Sequence, residues 1–137
     1  MSNPTYSATC FLEEETNFNI DLAVESLAKP VGRIFSSNPS VEKISPKHLR
    51  LTIRGWNLDV AVWDVEGTLE ENAEMFPADP NNERLVTIAK CPRRVHAWTK
   101  DADPEMEHFN DYMIAVEILC ASFMGFHAVD DASGEWY

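Results

Sequence analysis

Residues 48–64, HLRLTIRGWNLDVAVWD, decide the fold. Leu49, Leu51 and Ile53 alternate with Arg50, Thr52 and Arg54, then Leu58, Val60 and Val62 alternate with Asp59, Ala61 and Trp63. Successive side chains of a strand point to opposite faces, so this is two strands, each with one apolar face. Gly55, Trp56 and Asn57 stand between the runs, and two of them tolerate positive φ. A tight antiparallel hairpin is therefore predicted there. The apolar face must be covered. The other face carries Arg50, Arg54 and Asp59 and is expected to meet water, although Ala61 and Trp63 make it less than fully polar.

On the N-terminal side, residues 6–12 set Tyr6, Ala8, Cys10 and Leu12 on one side of a first strand, which ends in Glu13, Glu14 and Glu15, expected as a solvated turn. Residues 19–29 place Ile20, Ala23, Val24, Leu27 and Ala28 at helical spacing, with Asn17 or Asn19 to cap the first turn. Pro30 should end this helix, and a further helical turn is expected through Ile34 and Phe35. Residues 36–47, SSNPSVEKISPK, read as a surface loop.

On the C-terminal side, Thr68 and Glu71 have capping-box spacing, so a helix should start near Thr68 and break at Pro77 and Pro80. The run 85–90, LVTIAK, reads as helix because Pro80 suits a first helical position and Asp79 can cap it; the alternative is a strand paired with RVHAWT. Residues 94–99 read as a strand. Asp103 and Pro104 then start a long helix over 104–124, whose stripe of Met106, Phe109, Met113, Val116, Cys120 and Phe123 is widened by Tyr112, Ile114, Ile118 and Leu119. Gly125 is the expected left-handed stop, 126–129 a last strand and 130–134 a turn.

The order β-α-β-β-α-β-α-β predicts one α+β domain over 1–137. It would be an antiparallel sheet with helices mainly on one face, a ferredoxin-like β-α-β-β-α-β core extended by a C-terminal helix and strand. A chain of 137 residues can bury a core without staples, and 45% apolar with 25% charged residues is a globular composition. Cys10, Cys91 and Cys120 are an odd number with no CxxC, read as buried thiols of a reducing compartment. MSNPTYSATC has neither the basic nor the apolar region of a signal peptide, and no apolar run approaches the ~18 residues of a membrane span, so a cytoplasmic protein without membrane partners is expected.

Chemistry is thinly supported. Glu105, His108 and Asp111 stand three apart on the long predicted helix, half of a di-metal pattern without its second copy, so a metal site is disfavoured. Cys91 is followed by Pro92, Arg93 and Arg94, cations that can depress a thiol pKa, and His96 is near in sequence; yet a buried structural cysteine is the simpler reading. There is no Gly-x-Ser-x-Gly, no HExxH and no glycine-rich phosphate loop, and Asp130 and Asp131 lack the rest of a calcium loop. No cofactor and no metal are expected.

What remains is surface. With 23 acidic and 11 basic residues the formal charge is −12, which repels phosphate backbones and attracts cationic proteins. Acids gather at Glu13–Glu15, at Glu66, Glu70, Glu71 and Glu74, at Asp101, Asp103 and Glu105–Glu107, and at Asp130 and Asp131. Trp63 precedes the second group, Trp98 the third, and Trp136 and Tyr137 follow the fourth. Aromatic anchors ringed by carboxylates suit protein binding. The expectation is a small non-catalytic binder of a basic protein, of the type of a bacterial toxin-neutralising immunity protein. The alternatives are a nucleic-acid mimic that inhibits a DNA- or RNA-binding protein, and a small enzyme using Cys91 with His96 or a metal at Glu105 and His108. A homodimer through the second sheet face would be another use of that surface.

Overall fold

The computed structural model describes residues 4–30 and 32–137. Among them the chain runs β1 (Tyr6–Leu12), α1 (Ile20–Ala28), β2 (Ser40–Ser45), β3 (His48–Ile53), β4 (Trp56–Trp63), α2 (Thr68–Met75), α3 (Glu83–Ile88), β5 (Arg93–Thr99), α4 (Phe109–Ser122) and β6 (Phe126–Asp130). The strands form one antiparallel sheet in the order β2-β3-β4-β5-β1-β6.

The hairpin forms where expected but turns one step earlier. Ile53 pairs with Trp56, so the loop is only Arg54 and Gly55, both at positive φ (48° and 82°). A two-residue loop with both residues left-handed matches the twist of the strands it joins. Trp56 and Asn57 therefore belong to β4. Trp56 joins Leu58 and Val60 on the core face and is 4% exposed.

That core face is continued across the sheet by Leu49, Leu51, Val95, Ala97, Ala8, Cys10 and Leu12. It is covered by Ile20, Ala23 and Leu27 of α1 and by Tyr112, Ala115, Val116 and Leu119 of α4. Asn19 caps α1, its Oδ1 accepting from the Leu22 amide at 2.8 Å. The expected one-sided cover is incomplete as a description. Phe11 and Val129, on the opposite face, pack with Ile88 of α3, Cys91, Phe76 and Trp136 in a second, smaller core. Helices thus lie on both faces, but α2 and α3 reach over only part of the second.

The fold is α+β, but its strand order is not ferredoxin-like. A split β-α-β unit holds two parallel strands with one strand between them; here β1 and β2, joined through α1, have β3, β4 and β5 between them. One strand lay inside the predicted loop 36–47: β2 is an edge strand with only Val41 packed on the core, so it shows no apolar alternation. No helical turn forms at Ile34 and Phe35; Phe35 is buried while Ile34 is 86% exposed.

Helix starts differ in instructive ways. Residues 83–88 are helix, capped by Asn82, whose Oδ1 accepts from the Arg84 and Leu85 amides. α2 begins at Thr68, yet its capping box is not made: Gly67 is the cap, the Thr68 hydroxyl donates to the Val65 carbonyl, and Glu71 reaches Arg94 instead. α4 begins at Phe109, not Pro104, because Asp103 accepts the Glu107 and His108 amides in a separate turn with Met106 at φ 55°. Gly125 is left-handed, as expected, at φ 63°. Beyond it, the outer side of β6 is closed by the C-terminal segment, through Asp130 N–H to the Glu135 carbonyl and Tyr137 N–H to the Ala128 carbonyl. β2 is the other edge of the sheet. No helix of the described residues is long and apolar enough to cross a membrane.

Candidate binding groove on the second sheet face

Register builds the site. Facing away from the main core, Arg50, Asp59, Trp98 and Ser7 stand side by side on β3, β4, β5 and β1. His48, Ala61, His96 and Thr9 form the next row, and Trp63, Arg94 and Phe11 the one after. α2 and α3 cover the Phe11 end. The rest is an open groove of about 430 Å³ lined by Ser7, Ala61, Trp63, His96, Trp98 and Asp131 among others. Trp63 is 42% exposed at its edge.

Arg94 fixes one wall. Its side chain is buried and donates Nη2 to Glu71 Oε2 (3.0 Å), Nη1 to Asn72 Oδ1 (3.1 Å) and Nε to His96 Nε2 (3.1 Å), with the guanidinium 5.7 Å from the Trp63 ring centre. Because His96 Nε2 accepts, its ring proton sits on Nδ1. Burial and then the Arg94 charge hold the His96 pKa below the ordinary histidine value. The opposite wall is equally tied: Trp98 stacks on His48 (5.8 Å, 28°), and Asp59 takes both His48 Nε2 (2.8 Å) and Arg50 Nε (3.0 Å). At the far end Asp131 accepts from the Ser7 and Thr9 hydroxyls, each at 2.8 Å.

Of the residues singled out in the sequence, Trp63, Trp98 and Asp131 line this groove, and Glu71 is tied to it only through Arg94. Glu70 and Glu74 share α2 with Glu71, and Glu66 lies in the turn before it. Asp101 and Asp103 lie beyond β5 beside a different pocket, around Trp56 and His108. Asp130 turns inward, accepting from the Tyr112 hydroxyl at 2.7 Å. Trp136 is half-buried on Phe11 and Phe76, with Arg84 4.9 Å from its ring centre, and Tyr137 packs on the main core. His48 was not singled out in the sequence, Asp59 only as part of the second face, and Arg94 and His96 only as neighbours of Cys91, not as parts of this groove. Period-two alternation assigns each to the non-core face, but only the register of four strands brings them together.

The two chemical candidates look different in three dimensions. Cys91 is buried, its thiol directed at the Thr87 carbonyl (3.4 Å), and burial, then the Glu13 carboxylate, push its pKa up to about 12. The depression by Arg93 and Arg94 on which the alternative nucleophile reading rested does not arise, and the Arg94 guanidinium is held by Glu71, Asn72 and His96. Glu105 precedes α4 instead of sharing a helical face with His108, which is bonded to Asp111. Among the described residues no three His, Cys, Asp or Glu side chains are grouped to hold a metal ion. Compared with known proteins, the chain matches no family model, no curated protein and no solved structure.

Proposed function

We propose that the protein is a non-catalytic binding module that seats a basic protein on the open half of the second sheet face, with Trp63 and Trp98 as anchors. The observation that carries this reading is the pair of tryptophans flanking one uncovered groove, with the Asp131 carboxylate in its lining. Large aromatics in a partly desolvated groove supply contact area at low entropic cost, and surrounding carboxylates steer a cationic partner. The formal charge of −12 acts in the same direction. Neutralisation of a basic toxin, the role of an immunity protein, is the specific form this takes; occupation of a nucleic-acid-binding groove is the competing form.

The test is capture from the native lysate with immobilised wild-type protein beside a Trp63→Ala/Trp98→Ala protein. One basic protein, retained by wild type, released by salt at about 0.5 M and lost with the double variant, is the expected result. Identical capture by both proteins overturns the reading. If nucleic acid displaces the captured protein, the mimic form replaces the toxin-inhibitor form.

A further inference from the structure

A second site lies at the start of α4 and does not depend on the Trp63 and Trp98 groove. His108 is 8% exposed and stacks flat on Trp56, with centroids 4.9 Å apart and planes 3° from parallel. Its Nδ1 is 2.9 Å from Asp111 Oδ2. A carboxylate only accepts, so Nδ1 carries the proton and, in the neutral ring, Nε2 holds a lone pair. Asp111 is fixed in turn by the Ser36 amide on Oδ1 (2.7 Å) and the Ser36 hydroxyl on Oδ2 (2.6 Å). Nε2 has no hydrogen-bond partner among the described residues and is not sealed from solvent, and the ring borders an open pocket of about 540 Å³.

Most of the other polar side chains of this pocket are acceptors as well, although Trp56 also borders it with its Nε1 buried and without a partner among the described residues. Asp101, Asp103, Glu105 and Glu107 border it, and none makes an ion pair among the described residues. Asp103 is occupied by the Tyr6 hydroxyl and two amides, and Asp101 Oδ2 by Asn57, but Glu105 and Glu107 are exposed. Among the described residues the cation at the rim is Arg54, which donates to Ser36 Oγ at 3.2 Å.

We propose that this pocket binds the guanidinium of an arginine side chain, which donates to His108 Nε2 and to the Asp101 and Glu105 or Glu107 carboxylates. An anion is repelled by these walls. An ammonium ion is a compact, strongly hydrated point charge, whereas guanidinium is weakly hydrated and spreads five donors in one plane, which suits several acceptors around a wide pocket. His108 supplies what a cluster of solvated carboxylates lacks, an acceptor in the pocket lining that is held in place by Asp111 and Ser36.

The probe is Nα-acetyl-arginine amide, with the citrulline amide as its neutral isostere and the lysine amide as the ammonium control. Nitrogen and proton NMR at about pH 8 follows the His108 ring and the Trp56 indole. The arginine amide is expected to shift both saturably, and both controls to bind at least about tenfold more weakly, as the loss of a charge-assisted bond implies. Glu105→Gln/Glu107→Gln, at exposed positions, should weaken arginine binding several-fold while leaving the remaining amide spectrum in place. An unmoved His108 signal, or equal binding of either control, overturns the assignment.

Discussion

Arg94 and His96, two residues apart on β5, share a hydrogen bond in which Arg94 Nε donates to His96 Nε2 at 3.1 Å. The same guanidinium holds Glu71 and Asn72 of α2, so one side chain fastens a helix to the sheet and sets the tautomer of the groove's histidine.

Arg94→Met keeps the apolar stem but leaves Asn72 Oδ1 and His96 Nε2 without their donor. The expected loss is about 2–3 kcal/mol, read from urea unfolding. Arg94→Lys should recover only part of it, because a single ammonium cannot meet Glu71, Asn72 and His96 together.

Burial, followed by the Arg94 charge, lowers the His96 pKa in the folded chain, so the unfolded chain binds this proton more readily. The contribution of the neutral ring is complete above about pH 6.5 and is lost as pH falls towards the lower native value. Urea midpoints taken from pH 7.5 down to about 5.5 should fall more steeply for wild type than for His96→Gln. Parallel curves would remove His96 from the acid sensitivity of the fold.

Thiol reactivity should be low in the native state. Cys91 is held at about 12 by burial and Glu13, Cys120 at about 11 mainly by burial, and complete burial also raises Cys10 well above the ordinary thiol value. An aromatic disulfide reagent near neutral pH should label the folded protein slowly and all three cysteines at once in denaturant. Fast native labelling of Cys91 would return it to consideration as a nucleophile.

Gly125→Ala should destabilise more than a surface substitution. A Cβ there would lie 2.9 Å from the Glu13 Cβ, at a left-handed φ of 63°, while the Gly125 carbonyl accepts the Glu13 amide. The combined strain and clash predict a loss of about 2 kcal/mol and a lower thermal midpoint.

The hairpin, the apolar face of each of its strands and the burial of α4 were legible because period two and period 3.6 are written in Leu49 to Val62 and Phe109 to Phe123. The turn was misplaced since nothing in an arginine announces positive φ at Arg54. β2 was missed because an edge strand packed only through Val41 has no apolar rhythm to read. The strand order escaped for a different reason: insertion of β5 between β4 and β1 is a long-range choice that no local pattern encodes. Trp63 and Trp98 could be given a common face from alternation, but Arg94 and His96 gain their meaning only from α2 folding back over β5.

β2 leaves one row of backbone donors and acceptors at the margin of the sheet, where a strand of another chain could add. Two copies joined there about a twofold axis must pair residues that face the same way. The two nearly full-length registers then set Glu42 against Glu42 or Lys43 against Lys43, and like charges directly opposite are destabilising. The same side chains that hide this strand from a reader of the sequence protect it from self-association, so the sheet resists growth by its own copies while remaining open to a strand of different charge.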